Sequence, residues 1–174
     1  MRSIIKDGQV VTDSWTVLRP DENGKLPEVA PERDVIVPFS AWKAEPSAWQ
    51  NRAGQVAVWL APDDEPGELA GRLTSFPLLA VDFPAFTDGR GYSIGRLLRE
   101  RYHYRGELRA LGDVWQDLVH YLWQVGFNSF EIKEGKALED ALKGFGTFSE
   151  RYHSTWREPE PLFRRRNINH KSVA

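Results

Sequence analysis

Short apolar β-type runs recur along this chain with helix-patterned segments between them, and that alternation constrains the fold more than any other feature. The runs are Val35-Ile36-Val37, Val56-Ala57-Val58-Trp59-Leu60, Leu78-Leu79-Ala80-Val81, Leu108-Arg109-Ala110-Leu111 and Phe130-Glu131-Ile132. Candidate helices fall around 40–51, 66–75, 92–103, 114–125 and 136–144. A strand returned by a helix to a parallel neighbour is the βα unit, so about five such units predict an α/β fold on a parallel sheet. At 174 residues there is room for one domain. It divides into a β-hairpin at 1–18, a connector at 19–33, the βα core at 34–150 and a C-terminal tail at 151–174.

Local signals support these divisions. Asp7-Gly8 between Ile4-Ile5 and Val10-Val11 is the signature of a tight hairpin. The segment Arg19 to Arg33 carries Asp21-Glu22-Asn23-Gly24 and prolines at 20, 27 and 31, which predicts an exposed connector. Asp113 followed by Gln116 resembles a capping box, Val114, Leu118, Leu122 and Val125 form a helical stripe, and Gly126 suits a C-terminal stop. Trp115, Tyr121 and Trp123 widen the apolar surface of that helix, which predicts either deep burial or an oligomer contact. The Pro-interrupted, Arg-rich tail beyond Glu158 is expected to be mobile or draped on a partner.

Strand alternation divides the side chains into two faces. Asp82, Arg109, Asp113, Glu131 and Lys133 fall on one, and Leu79, Val81, Phe83, Leu108, Ala110, Phe130 and Ile132 on the other. One polar face and one helix-packed face fit a partial (β/α) barrel with a polar lumen. An open three-layer sheet buries both faces, but tolerates polar residues at strand ends. The sequence leaves both architectures open, with Arg109 and Glu131 as a candidate ion pair at a sheet edge in the second.

In either architecture ligands gather where strand C-terminal ends meet helix starts. The richest such junction is Asp82 to Arg96. Asp88, Gly89, Arg90, Gly91, Tyr92, Ser93 and Arg96 form a candidate anion-binding turn, with backbone N–H groups, a helix start and guanidinium groups to hold a phosphate, sulfate or carboxylate. The Gly-Lys-Ser/Thr ending of a P-loop is absent. A second candidate is the set Asp82, Arg109, Asp113 and Glu131. Carboxylates around one arginine shift one another's pKa and can handle a proton, although no spacing demands a metal. His103, His120, His153 and His170 are dispersed and read as surface or satisfied side chains.

Composition narrows the function classes. Lys and Arg number 23 against 25 Asp and Glu, and the net charge of −2 supplies no field to draw nucleic acid or an anionic membrane surface. With no cysteine, thiolate metal sites, iron–sulfur ligation and cysteine nucleophiles are impossible within this chain. The segment Met1 to Asp7 lacks an apolar stretch of signal-peptide length, so the expected location is cytoplasmic.

Three stretches carry a family likeness: 82–101, 106–114 and 126–132, which read Asp-Phe-Pro-Ala-Phe-Thr-Asp-Gly-Arg-Gly-Tyr-Ser-Ile-Gly-Arg onward, Gly-Glu-Leu-Arg-Ala-Leu-Gly-Asp-Val and Gly-Phe-Asn-Ser-Phe-Glu-Ile. Together they resemble an uncharacterised bacterial domain-of-unknown-function family, with the likeness strongest over 78–133. Genes of that family typically lie beside those for assimilatory sulfite reductase and phosphoadenylyl-sulfate reductase, and members are often labelled probable oxidoreductases of sulfite reduction. The resemblance implies an accessory protein of assimilatory sulfate or sulfite reduction. Its expected partners are sulfite reductase, phosphoadenylyl-sulfate reductase or a second copy of this chain. No flavin or nicotinamide fingerprint is present, and no cofactor is assigned. Two alternatives stand beside this: an enzyme using the Asp82, Arg109, Asp113 and Glu131 cluster, and a non-catalytic oligomeric module.

Overall fold

The computed structural model describes residues 2–135, 137–146 and 152–164, and its frame is one eight-stranded sheet. The strands are β1 (Arg2–Lys6), β2 (Gln9–Asp13), β3 (Thr16–Val17), β4 (Val35–Pro38), β5 (Val56–Leu60), β6 (Leu78–Phe83), β7 (Glu107–Gly112) and β8 (Ser129–Phe130). The helices are α1 (Phe39–Ala44), α2 (Pro46–Gln50), α3 (Arg90–Glu100), α4 (Val119–Val125) and α5 (Leu138–Lys143). Across the sheet the order is β2-β1-β8-β7-β6-β5-β4-β3. Strands β3 to β8 are mutually parallel, and β1 pairs antiparallel with both β8 and β2. Asp7 and Gly8 make the hairpin turn as expected, both at positive φ (49° and 78°), which matches strand twist in a two-residue loop.

The link from β2 to β3 decides between open sheet and barrel. These strands lie at opposite edges of the sheet, yet only Ser14 and Trp15 separate them in the chain. Laid flat, eight strands would hold their edges about 34 Å apart at ~4.8 Å per strand. Three Cα steps span at most about 11 Å. The sheet therefore curls into a half-barrel, with the segment 9–17 pairing to β1 by its first half and to β4 by its second.

Curling gives the two faces different contents. The helix-covered face packs Val37, Val58, Leu79, Val81, Phe83, Leu108, Ala110 and Phe130 against Phe39, Ile94, Leu98, Val119 and Leu122. The concave face holds Ile36, Ala57, Trp59, Leu78, Ala80 and Leu111. Alternation sets Asp82, Arg109, Ser129 and Glu131 on that same inner side, all buried. Small residues (Ala57, Ala80, Ser129) beside large ones (Trp59, Arg109) fill the narrow interior.

Several helices differ from expectation for identifiable reasons. The 40–51 segment splits at Glu45, held at φ −138° ahead of Pro46, because a residue before proline avoids the helical region. The 66–75 segment forms two 3-10 turns, Pro66–Leu69 and Leu73–Ser75, with Gly71 between them, so the β5–β6 crossover is not an α-helix and the expected helical βα unit is not met there. The expected 114–125 helix starts at Val119 after a 3-10 turn, and Asp113 does not cap it. Gly126 does end α4, at φ 118°. Part of the tail packs on the body: Arg157 donates from Nε to the Trp123 carbonyl at 2.8 Å and from Nη2 to the Phe127 carbonyl at 3.0 Å. The remainder of the tail, 165–174, lies outside the described residues. No helix among the described residues is long and apolar enough to cross a membrane.

Candidate functional site

The parallel arrangement gathers one set of side chains at one end of the half-barrel. Arg19 follows β3, Asp82 sits near the end of β6, Asp113 follows β7, and Glu131 and Lys133 follow β8. Because β1 runs the other way, its first residue, Arg2, reaches the same end. Arg19, Asp82, Asp113, Glu131 and Lys133 line one open cavity of about 510 Å³ there, with Phe83, Pro84 and Gly112. This is the strand-end position at which α/β folds bind ligands.

Each charged group at this mouth has a partner. Arg19 donates from Nη2 to Asp82 Oδ1 at 2.6 Å, and its guanidinium lies 5.4 Å from the Trp59 ring centroid. The Trp59 indole is itself fixed by its Nε1–H to the Leu18 carbonyl at 3.0 Å. Asp113 accepts from Lys133 Nζ and Trp115 Nε1 at Oδ1, and from the Phe86 N–H at Oδ2. Those hydrogen bonds, led by Lys133, hold its carboxyl below the ordinary aspartate value. This also explains why Asp113 is no helix cap: both its oxygens are spent on neighbouring loops.

Glu131 is different. Its Oε1 pairs with Arg2 at 2.5 Å, while its Oε2 is buried and has no hydrogen-bond partner among the described residues. Burial pushes its pKa above the ordinary glutamate value, against the pull of Arg2, Arg109 and Arg19. Glu131 lines the cavity while its unpaired Oε2 is enclosed in the wall; a carboxyl group so placed can exchange a proton with a bound molecule once the side chain turns toward the opening.

Arg109 does not face this mouth, and it does not pair with Glu131 at a sheet edge. It lies inside the half-barrel, its side chain 2% exposed. It donates from Nη1 to both oxygens of Asp13 at 3.0 Å and from Nη2 to Glu107 Oε1 at 2.7 Å. Its Nε–H is shared between Glu107 Oε1 and Ser129 Oγ at 3.0 and 3.2 Å. Of the four residues proposed for acid–base work, Asp82, Asp113 and Glu131 therefore share the mouth, and Arg109 belongs to the interior. Among the described residues no group of three or more His, Asp or Glu is placed to hold a metal ion.

The 88–96 turn is arranged differently from a converging anion cradle. Asp88 accepts the Arg90 backbone N–H at 3.1 Å, so the helix start already has its carboxylate. The Arg90 guanidinium lies between Asp88 and Asp63 and is not among the residues that line the mouth cavity. Arg96 pairs along its own helix with Glu100 at 3.0 Å. Gly91 is buried beneath Phe83, where a Cβ would sit 2.5 Å from the ring. Tyr92 is half-buried edge-on to Phe83, and burial pushes its hydroxyl up to about 12. Gly89 and Ser93 are exposed. His120, expected as a surface or satisfied side chain, is buried, with Nδ1 at 3.1 Å from the Gly144 carbonyl.

Sequence reasoning missed Arg19, Arg2, Asp13 and Glu107. Arg19 sat in what read as a featureless connector, and only the pairing of β3 with β4 carries it to the mouth.

The fold and this mouth define the class: an α/β half-barrel domain with a charged cavity at its strand C-terminal ends. The family follows from the match between residues 57–163 and the model of a bacterial protein family of unknown function (DUF934), which covers more than half of the chain. The chain belongs to that family. No curated protein matches it.

Proposed function

We propose that this domain binds a small oxyanion or organic acid at the mouth of its half-barrel, with Glu131 exchanging a proton with it. Arg19 and Lys133 orient the anion, and Asp82 and Asp113 position those two cations. The observation that carries this reading is Glu131, a residue of the cavity lining whose Oε2 is buried with no donor among the described residues. An unsatisfied buried oxygen costs about 1–3 kcal/mol, a cost that invites explanation by a bound group. A turn of the Glu131 side chain toward the opening brings Oε2 within reach of a hydroxyl or protonated oxygen of a ligand, which supplies the missing donor. The raised pKa of Glu131 brings it toward the range in which a carboxyl group works as both acid and base.

The anion class suggested by the 82–96 turn is retained, and its place is moved to Arg19 and Lys133. Within this reading the setting is the one that the family resemblance implies: cytoplasmic, accessory to assimilatory sulfate or sulfite reduction, and acting beside sulfite reductase or phosphoadenylyl-sulfate reductase. Sulfite and sulfate are members of the anion class.

Calorimetric titration with sulfite, sulfate and phosphate tests the proposal. Binding is expected to be lost in Arg19→Ala, weakened in Lys133→Ala and unchanged in Arg90→Ala, with folding checked by circular dichroism. Repeating the titration in buffers of different ionisation enthalpy should reveal proton exchange in the wild type that Glu131→Gln abolishes. No binding of any anion, or loss of binding in Arg90→Ala alone, overturns the proposal.

A further inference from the structure

We infer that the ligand of this mouth is an organic anion with a planar, uncharged body stacked on Arg19, and not a bare inorganic oxyanion. This rests on the site proposed above and names its substrate class.

The mouth cavity is about 510 Å³, within the range of pockets that hold metabolite-sized molecules. A water molecule's share of liquid is ~30 Å³, and a tetrahedral oxyanion is only a few times larger. Sulfite or sulfate alone would leave most of the space to solvent.

A second cavity adjoins the mouth on the other side of Arg19. This open cavity of about 460 Å³ is lined by Arg19, Asp21, Lys25, Leu26, Pro27 and Glu28, so one arginine forms the common wall of both. That second wall is pre-formed. Asp21 Oδ1 accepts the N–H groups of Asn23 and Lys25 at 2.9 and 2.8 Å, and Gly24 at φ 77° closes the turn. Leu26 and Pro27 provide apolar edges, and Leu26 also packs against the main core.

Arg19 is itself held in place. Its guanidinium carbon lies over the Trp59 ring, 5.4 Å from the centroid, and its Nη2 is bound by Asp82. The side chain is nevertheless 45% exposed and lines both cavities. A delocalised planar cation held between an indole and open space is a stacking surface for a second planar group. Such a ligand places its anionic end toward Lys133 and Glu131, and its body over Arg19 toward Leu26 and Pro27.

Three probes test this: inorganic sulfate, 4-nitrophenyl sulfate and cyclohexyl sulfate, titrated calorimetrically into the full chain. The aryl ester is expected to bind roughly tenfold tighter than inorganic sulfate, the scale of one good stacking contact, and tighter than the cyclohexyl ester. Leu26→Gln should remove much of the aryl advantage. Arg19→Lys, which keeps the charge but not the plane, should erase the preference for aryl over cyclohexyl. Equal affinities for sulfate and the aryl ester overturn this inference while leaving the anion site standing. Equal affinities for the two esters overturn the planar requirement. Absence of binding by all three removes the site and the inference together.

Discussion

Replacing Arg109 by methionine tests how the half-barrel tolerates charge in its interior. The side chains of Arg109, Asp13 and Glu107 are 2%, 2% and 8% exposed. Truncating the guanidinium strands both carboxylates, and only Glu107 keeps another cation, Lys6 at 2.6 Å. Breaking a buried pair in this way costs about 3–5 kcal/mol, a large part of the ~5–15 kcal/mol that holds a domain of this kind folded. The sign of the pH dependence is a sharper check. In the wild type burial pushes Glu107 up, but the Arg109 charge and hydrogen bonds from Lys6, Arg109 and Ser129 outweigh it, leaving its pKa below the ordinary glutamate value. A depressed carboxyl contributes stability above its unfolded pKa of ~4.3 and loses it as pH falls through the folded value. Without Arg109 the burial effect dominates and Glu107 rises instead, so the variant should be least stable, relative to wild type, at neutral pH and recover part of the deficit near pH 5. Urea denaturation at both pH values measures this. A loss below about 1 kcal/mol at pH 7, or a deficit that does not shrink toward pH 5, would refute the reasoning.

Glu131→Gln should gain stability relative to wild type as pH rises from 4 to 8. The folded pKa of Glu131 is raised by burial, so the wild type forfeits stability as pH climbs from the unfolded value of ~4.3 through the folded one, and glutamine does not titrate. Paired urea midpoints read this, and a difference that does not move in favour of the Gln variant between pH 4 and pH 8 contradicts it. Gly91→Ala should destabilise by about 1–3 kcal/mol, since its Cβ would press on the Phe83 ring beneath α3. A thermal midpoint at or above that of wild type would show that α3 shifts freely.

Much of the fold is legible in the residues because its causes are local. Asp7-Gly8 dictates a turn at positive φ, Gly126 ends α4, and period-two alternation sorts Leu79, Val81 and Phe83 from Ala80 and Asp82. That same alternation placed Asp82, Glu131 and Lys133 on one face before any tertiary contact was known. Where local rules compete the reading slips: Pro46 breaks one expected helix, and Gly71 separates two turns where another was expected.

Curvature, by contrast, is a property of the closed chain. Nothing within residues 9–17 says that β2 and β3 stand at opposite edges of one sheet. That follows from pairings with β1 and β4, made after the intervening chain has wound through the parallel strands. Closure is what carries Asp13 to Arg109 across 96 positions and Arg19 to Asp82 across 63. Periodicity thus determined which side chains share a face, because it acts over a few residues. Which of them meet, and which oxygen is left without a donor among the described residues, was decided only by long-range packing in a narrow interior, where burying the Arg109 charge requires a carboxylate, Asp13, from far along the chain.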